Sequence, residues 1–195
     1  MLEELLGIDG GNRDNPDSGN WEIKSHTRSA PLTLLHLEAE PRGHIGDMVR
    51  AFGWPDKKDP QQTNFRHSIW GKSSRGFRVI GESDRVAVIN DHDADIKPYW
   101  THDRLMSAFA AKLRRLIVVT GQRPDKDTVV WQSAIMLNEP KLTDLPRLLE
   151  SGLIAIDFDA RTKPNGAIRN HGTKFRVKAK DLGEIYQSIK PLRVN

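Results

Sequence analysis

From Asn15 to Thr27 the chain runs Asn-Pro-Asp-Ser-Gly-Asn-Trp-Glu-Ile-Lys-Ser-His-Thr, two turn formers, Gly19 and Asn20, leading into a run that alternates between two sets of side chains. Side chains on a strand repeat every two residues. A strand over Trp21 to Thr27 therefore sends Glu22, Lys24 and His26 to one face and Trp21, Ile23 and Ser25 to the other. Asp17 stands just before the turn, on an adjacent strand or strand end, so that two carboxylates and one ammonium converge within reach of a single phosphate. Hard oxygen ligands of this kind suit Mg2+, which is held by one or two carboxylates together with waters and substrate oxygens. A metal there orients or acidifies an attacking water and neutralises charge on a pentavalent phosphorus, and Lys24 steers that water or stabilises the same charge. Taken alone, the spacing fits an ordinary Glu/Lys pair on the solvent face of a surface hairpin more simply.

Composition bounds the fold class without choosing the function. With 195 residues, 37% hydrophobic and 29% charged, the chain buries a real core and most simply makes one compact α/β domain, in one or two lobes. Lys and Arg number 30 against 26 Asp and Glu, a net charge of +4 that permits nucleic-acid binding, so the distribution of charge matters more than its sum. The absence of cysteine excludes disulfides, thiolate nucleophiles and Cys-ligated zinc. No apolar run is long enough to cross a bilayer, and Met1-Leu2-Glu3-Glu4 lacks the basic start and apolar stretch of a signal peptide, so a cytoplasmic protein without membrane partners is expected.

Along the chain, residues 2 to 6 read as the last turns of a helix closed by Gly7, or as a leader marked by Gly10-Gly11. Residues 15 to 40 read as a strand meander whose third strand is Leu34 to Glu40, stopped by Pro41-Arg42-Gly43. The stretch from Phe52 to Asn64 reads as a long loop, and Phe65 to Trp70, Phe77 to Ile80 and Arg85 to Asn90 as antiparallel strands. Trp100 to Leu116 has the helical period, with Leu105, Phe109, Leu113 and Leu116 on one stripe. A strand over Val129 to Leu137 and a short helix over Leu145 to Ser151, capped from Thr143 or Asp144, follow. Strands over Leu153 to Phe158 and Lys174 to Val177 and a closing helix over Asp181 to Ile189 complete the pattern. Asp91-His92-Asp93-Ala94-Asp95 carries metal-ligand residue types but reads more simply as an acidic loop between a strand and a helix.

The Pro-Asp then Glu-x-Lys arrangement resembles the PD-(D/E)XK nuclease signature, and Leu2-Glu3-Glu4-Leu5-Leu6-Gly7-Ile8 resembles the helix end that leads into it in MutH-like and MvaI/BcnI-type enzymes. Phe109 to Val119 is similar to that family's helix running into a core strand, and Leu148 to Arg161 with Ile168 to Arg176 to its distal signature. Three blocks in order over nearly the whole chain identify it as resembling the MvaI/BcnI-type restriction endonucleases. The resemblance implies an α+β, PD-(D/E)XK-like core, a mixed central sheet flanked by helices, joined to a DNA-recognition lobe. It implies one nuclease domain over 1–195, with a catalytic part at about 1–50 and 100–140 and a recognition lobe at about 51–99 and 141–180. In MutH-like relatives a helix carboxylate before the glycine joins the metal site, which by resemblance brings Glu3, or its neighbour Glu4, beside Asp17 and Glu22. His26 and His36 fall on strands beside that site, where packing is the simpler role. Family members usually carry more residues ahead of this block, so a first helix shortened by the position of Met1 is expected.

The distal block carries the candidate DNA contacts. Asp159 and Arg161 lie two apart at a strand end and project the same way, an arginine fork suiting guanine O6 and N7 and a carboxylate suiting cytosine N4; a salt bridge between the two is the alternative. Arg169, His171 and Arg176 sit around Gly172 and resemble the family's second reading element, with Lys163, Lys174, Lys178 and Lys180 nearby for phosphates. The loop with Lys57, Lys58, Gln61, Gln62 and Asn64, followed by Arg66 and His67, is a further candidate for groove contacts. The resemblance implies a Mg2+-dependent type II restriction endonuclease that cuts double-stranded DNA at a short, G·C-rich, pseudo-palindromic site. It further implies a monomer that cuts one strand at a time, beside a cognate methyltransferase that it does not touch. The alternatives are a MutH-like strand-nicking repair endonuclease and a truncated relative that binds DNA without cutting it.

Overall fold

The computed structural model describes residues 7, 16–17, 20–27 and 30–192. The first half of the chain forms β1 (Glu22–His26), β2 (Leu32–His36), α1 (His44–Phe52), β3 (Trp54–Pro55), β4 (Thr63–Ile69), β5 (Phe77–Gly81), β6 (Arg85–Asn90) and β7 (Tyr99–Thr101). The second half forms α2 (His102–Leu113), β8 (Arg115–Gln122), β9 (Val130–Pro140), α3 (Leu145–Glu150) and β10 (Ile154–Thr162). It closes with β11 (Ile168–Asn170), β12 (Lys174–Val177), α4 (Leu182–Ile185) and β13 (Tyr186–Leu192). These elements divide into two compact units, one made of Met1–Leu32, Met106–Asp144 and Lys178–Asn195, the other of Thr33–Leu105 and Leu145–Val177.

The first unit is built on a mixed four-stranded sheet in the order β1-β8-β9-β13. β1 runs parallel to β8, with Glu22 opposite Leu116 and Lys24 opposite Val118, while β8, β9 and β13 are antiparallel neighbours. Only Arg114 separates α2 from β8, so the helix ends beside the start of the strand that receives β1. Phe109, Leu113, Leu116, Val118, Leu137, Leu182, Ile185 and Tyr186 close its core. The expected stripe on α2 is thus buried as its period requires, with Leu116 carried into β8.

The second unit holds a six-stranded sheet, β2-β12-β10-β4-β3 with β11 added to the end of β10, and a three-stranded sheet β5-β6-β7. β10 organises it. Ile154, Ile156, Phe158 and Ala160 point to one face and are fully buried, together with Phe65, Ile69, Phe175 and Val177 from the paired strands. Aromatic rings interlock there, Phe65 against Phe158 at 5.8 Å and Phe77 at 5.7 Å, and Trp100 edge-on to Phe175 at 5.3 Å. The buried Trp100 indole N–H donates to the Leu37 carbonyl at 3.0 Å, so the ring is buried without stranding its donor.

Three expectations from the pattern are not met, and one helix was not expected at all. Residues 15 to 40 do not form a meander, because β1 joins the first sheet and β2 ends at His36 in another. Helix α1 arises in a stretch punctuated by Pro41, Gly43, Gly46 and Gly53, and it forms because His44, Ile45, Met48 and Val49 share a buried face. The closing helix covers only Leu182–Ile185, after which Tyr186–Leu192 pairs with β9 as a strand. Strand pairing and the burial of Tyr186 override a helical pattern weakened by Gly183 and Pro191. The Phe52 to Asn64 loop is also interrupted, by the two-residue strand β3.

Gly71 and Gly152 both take left-handed conformations and abut one another; a Cβ on Gly152 would lie 2.6 Å from the Trp70 carbonyl oxygen. Gly166 has the same backbone sign with open space around it. Gly152→Ala therefore costs roughly 2–5 kcal/mol, strain plus overpacking, whereas Gly166→Ala costs about 1–2 kcal/mol from strain alone. Urea unfolding midpoints of the two variants check this, and equal losses would remove the close-packing argument.

Candidate active site

The alternation of β1 puts Glu22 and Lys24 on one face, where the Lys24 Nζ donates to Glu22 Oε1 at 2.7 Å. Glu22 is 2% exposed, although a carboxylate is among the groups least willing to leave water. A second ammonium, Lys112 at the end of α2, lies 3.8 Å from the same oxygen. Asp17 packs against the strand from the preceding loop, its Oδ2 accepting the Ile23 backbone N–H at 3.0 Å. The Tyr186 hydroxyl donates to the Leu113 carbonyl at 3.0 Å, satisfying one of the open acceptors at the end of α2. Burial pushes the Glu22 carboxyl above its ordinary range; Lys24 and Lys112 pull it down, and the neighbouring charge of Asp17 pushes it up.

The other Glu22 oxygen, Oε2, is buried and finds no hydrogen-bond partner among the described residues. A buried acceptor without a donor costs about 1–3 kcal/mol, and a cation would satisfy it. Among the described residues no group of three or more His, Cys, Asp or Glu side chains gathers. Two carboxylates with hard oxygens, one of them unsatisfied, fit an ion that takes its remaining ligands from water and phosphate, as Mg2+ does. Glu3 and Glu4 lie outside the described residues. His26 bonds through Nε2 to the Ala30 carbonyl oxygen at 3.0 Å, and His36 lies against Gly172 in the second unit. Asp91 pairs with Arg78 at 2.8 Å, and Asp93 Oδ1 accepts the Asp95 N–H in a local turn, so the acidic run is a loop, though it joins β6 to β7 and not a strand to a helix.

The second unit presents its own polar face. Directly paired residues of antiparallel strands share a side, so Asp157, Asp159 and Arg161 of β10 lie with Ser68, Arg66 and Asn64 of β4, Lys174 and Arg176 of β12, and Arg169 of β11, opposite the buried aromatic face. Asp159 pairs with Lys174 at 2.9 Å and Arg66 at 3.2 Å, rather than with Arg161. Burial pushes its carboxyl up, but Lys174, His171 and Arg66 outweigh that and hold it below the ordinary value. Asp157 takes Arg176 at 3.6 Å and the Ser68 hydroxyl. Arg161 stands directly opposite Arg169, and the Arg161 charge, after the side-chain hydrogen bond from Asn64, also helps hold the Asp56 carboxyl below its ordinary range. His171 donates its backbone N–H to the Asp159 carbonyl at 2.8 Å, and its Nε2 is buried without a partner among the described residues.

Of the weaker candidates, Arg66 joins this face, while His67 turns to the core side between Phe65 and Phe77 and bonds Ser73 at 2.8 Å. Gln62 and Asn64 are drawn into a turn, donating to Asp59 at 2.6 Å and Asp56 at 2.5 Å. Pattern reasoning passed over Lys112 and Asp157. A lysine between Phe109 and Leu113 on a buried stripe is the signal that would have found the first, and Asp157 inside an apolar run the second.

Comparison with known proteins defines the class. The chain shares its fold with a complex of the restriction endonuclease MvaI and its cognate DNA substrate, at 24% identity and a TM-score of 0.81 over 97% of this chain and 85% of that one. It also matches MvaI in the absence of DNA, at 23% identity and a TM-score of 0.65 over 98% and 83%. The profile of the MvaI/BcnI restriction endonuclease family matches residues 1–186, and the chain belongs to that family. Membership makes it a site-specific nuclease that hydrolyses DNA. Comparison with curated proteins gives no match.

Because two like charges face one another across the β10–β11 ladder, removing Arg169 relieves repulsion, while Arg161 also has the neighbouring charge of Asp56. Arg169→Ala should leave stability unchanged or raise it by up to about 0.5 kcal/mol. A loss above about 1 kcal/mol in chemical denaturation would mean that the arginine stabilises the sheet.

Proposed function

We propose that the chain is a Mg2+-dependent type II restriction endonuclease in which Asp17 and Glu22 hold the metal and Lys24 serves the reacting phosphate. The buried, unsatisfied Glu22 Oε2 beside an ammonium at 2.7 Å is the observation that carries this reading. Glu3 is a further candidate ligand by family resemblance. The metal supplies a Lewis acid for the phosphoryl oxygens and an acidified water. Glu22 and Asp17 fix its position on a rigid strand and the loop bonded to it. Lys24, on the same strand face as Glu22, would be the ammonium that serves the phosphate or the attacking water. Hydrolysis forms a bond from water oxygen to phosphorus and breaks one P–O ester bond, the leaving oxygen gaining a proton. Preorganised positive charge stabilises the extra negative charge of the transition state.

The first unit is the catalytic part and the second the recognition part. Asp159, Arg161, Arg169, His171 and Arg176 read double-stranded DNA, with Arg66 and Lys174 holding Asp159 in place. Arginine forks match guanine and an oriented carboxylate matches cytosine, which favours a short G·C-rich, pseudo-palindromic site. One set of catalytic residues per chain suits a monomer that nicks one strand and then the other. A cytoplasmic enzyme accompanied by a methyltransferase it does not contact completes the reading. Among the described residues no helix is long and apolar enough to cross a membrane.

Purified protein incubated with unmethylated plasmid DNA and Mg2+ should give nicked circles first and discrete fragments later. Lys24→Ala should slow this by at least about 100-fold, the range for loss of one charge-stabilising donor. Nicked circles that never become linear point instead to a strand-nicking repair enzyme. Intact DNA from folded wild-type protein leaves a DNA-binding protein without cleavage.

A further inference from the structure

Glu38 belongs to neither candidate face, yet its carboxylate holds the backbone that carries His171. It stands on a segment of the second unit that is pinned in place: the Leu37 carbonyl accepts the Trp100 indole N–H at 3.0 Å, and Glu40 exchanges backbone hydrogen bonds with Tyr99 at 2.9 and 2.8 Å. From there Glu38 Oε1 accepts the Thr173 backbone N–H at 2.9 Å and Oε2 the Thr173 hydroxyl at 3.4 Å, while the Leu37 N–H donates to the Thr173 carbonyl at 3.0 Å. Thr173 is 0% exposed, so water does not stand in for these bonds. The rest of the connection between β11 and β12 is accounted for donor by donor. The His171 N–H donates to the Asp159 carbonyl at 2.8 Å and the Gly172 N–H to Asn170 Oδ1 at 2.8 Å. Gly172 takes φ +88°, and a Cβ there would lie 3.1 Å from His36 Cδ2 and 3.6 Å from Glu38 Oε1, so the connection is packed close against the segment that bears Glu38. The charge of Glu38 also acts on His44, whose imidazole burial drives toward the neutral form and which packs against Phe158 in the core.

We infer that Glu38 is a positioning residue for sequence discrimination: by holding Thr173 it fixes the connection from Asn170 to Thr173 and with it the direction of the His171 side chain. The inference rests on the reading of His171 as a contact to DNA. It gives Glu38 no contact with DNA and no part in the metal site. A side chain that tells one base pair from another must be held to a fraction of an ångström by the groups behind it, so a connection that relaxes costs discrimination before it costs cleavage. The anchor comes from 135 residues earlier in the chain, which ties the reading element to the strand region after β2 rather than only to its own ladder. What the Thr173 N–H requires is an oxygen acceptor, and the amide oxygen of glutamine supplies one.

Plasmid cleavage followed by sequencing of the fragment ends defines the target, and the test compares kcat/KM on duplexes that carry it with kcat/KM on duplexes in which each base pair is exchanged in turn. The variants are Glu38→Ala, Glu38→Gln, His171→Ala and the double variant Glu38→Ala with His171→Ala. Glu38→Ala should lower the discrimination ratio at least about tenfold at the base pair where His171→Ala lowers it. Glu38→Gln should stay within about threefold of wild type, because the acceptor is kept. The double variant should fall no further than His171→Ala alone, since no positioned imidazole is left to disturb. A Glu38→Ala ratio equal to wild type, a Gln variant as poor as the Ala variant, or additive losses in the double variant would overturn the inference and leave the His171 reading standing. His171→Ala that discriminates as wild type does, or wild type that cuts no plasmid, would remove that reading and this inference with it. Should circular dichroism show Glu38→Ala unfolded, Glu38→Met, which keeps the stem and removes the acceptor, takes its place under the same criteria.

Discussion

The two-residue pleat of a strand is the constraint on which the rest of this structure depends. On β10 it sends Ile154, Ile156, Phe158 and Ala160 into the core and leaves Asp157, Asp159 and Arg161 on the opposite side. A shift of one residue in register would bury the charges and expose the aromatics, so the buried cluster around Phe158 holds the polar face in place as firmly as it holds the unit together. The same alternation on β1 aligns Glu22 with Lys24. Both candidate surfaces are therefore by-products of strands whose register is fixed by apolar packing, which gives chemically demanding side chains a rigid platform.

The Glu22 environment works against folding taken alone. Its carboxyl is nearly inaccessible, its pKa is raised by burial, and one oxygen lacks a donor among the described residues. A raised carboxyl pKa means that the folded chain holds its proton more tightly than the unfolded one. The ionised group thus lowers stability as pH rises through the folded pKa and is least costly below the unfolded value. Lys24 and Lys112 offset this only in part. A strand position that a purely structural protein would fill with an apolar residue is kept acidic here, and strain of this kind collects at functional sites.

What could be read from the chain divides by the range of the forces involved. The motif at Asp17, Glu22 and Lys24, the stripe of α2 and the strands β4 to β6 rest on local periodicity and were legible. Helix α1 was not, because its glycines mask a buried face that exists only once Met48 and Val49 have a core to enter. The split of β1 and β2 between two sheets depends on partners about 90 and 140 residues away, β8 and β12, and no local pattern carries such pairings. The conversion of Tyr186–Leu192 to a strand is again decided by a distant neighbour, β9. Lys112 was missed for the same reason, since its meaning comes from Glu22, far away in sequence.

Charge shows the difference between sum and placement most clearly. The whole chain carries a net +4, too little to argue for DNA. Yet one sheet face of the second unit gathers Arg66, Arg161, Arg169, Lys174 and Arg176 against Asp157 and Asp159, with Asp56 beside its Asn64 end. Asp157 and Asp159 are consumed by Lys174, Arg66 and Arg176. Arg161 and Arg169 face each other across the ladder, with only Arg161 given a nearby carboxylate among the described residues, Asp56. Such a pair loses little while water screens it and gains much when a polyanion lies over it, releasing counterions as it binds. On the proposed reading the repulsion is small in the free protein and would become attraction on a duplex, so the position of these arginines, more than their number, is what would suit this face to nucleic acid.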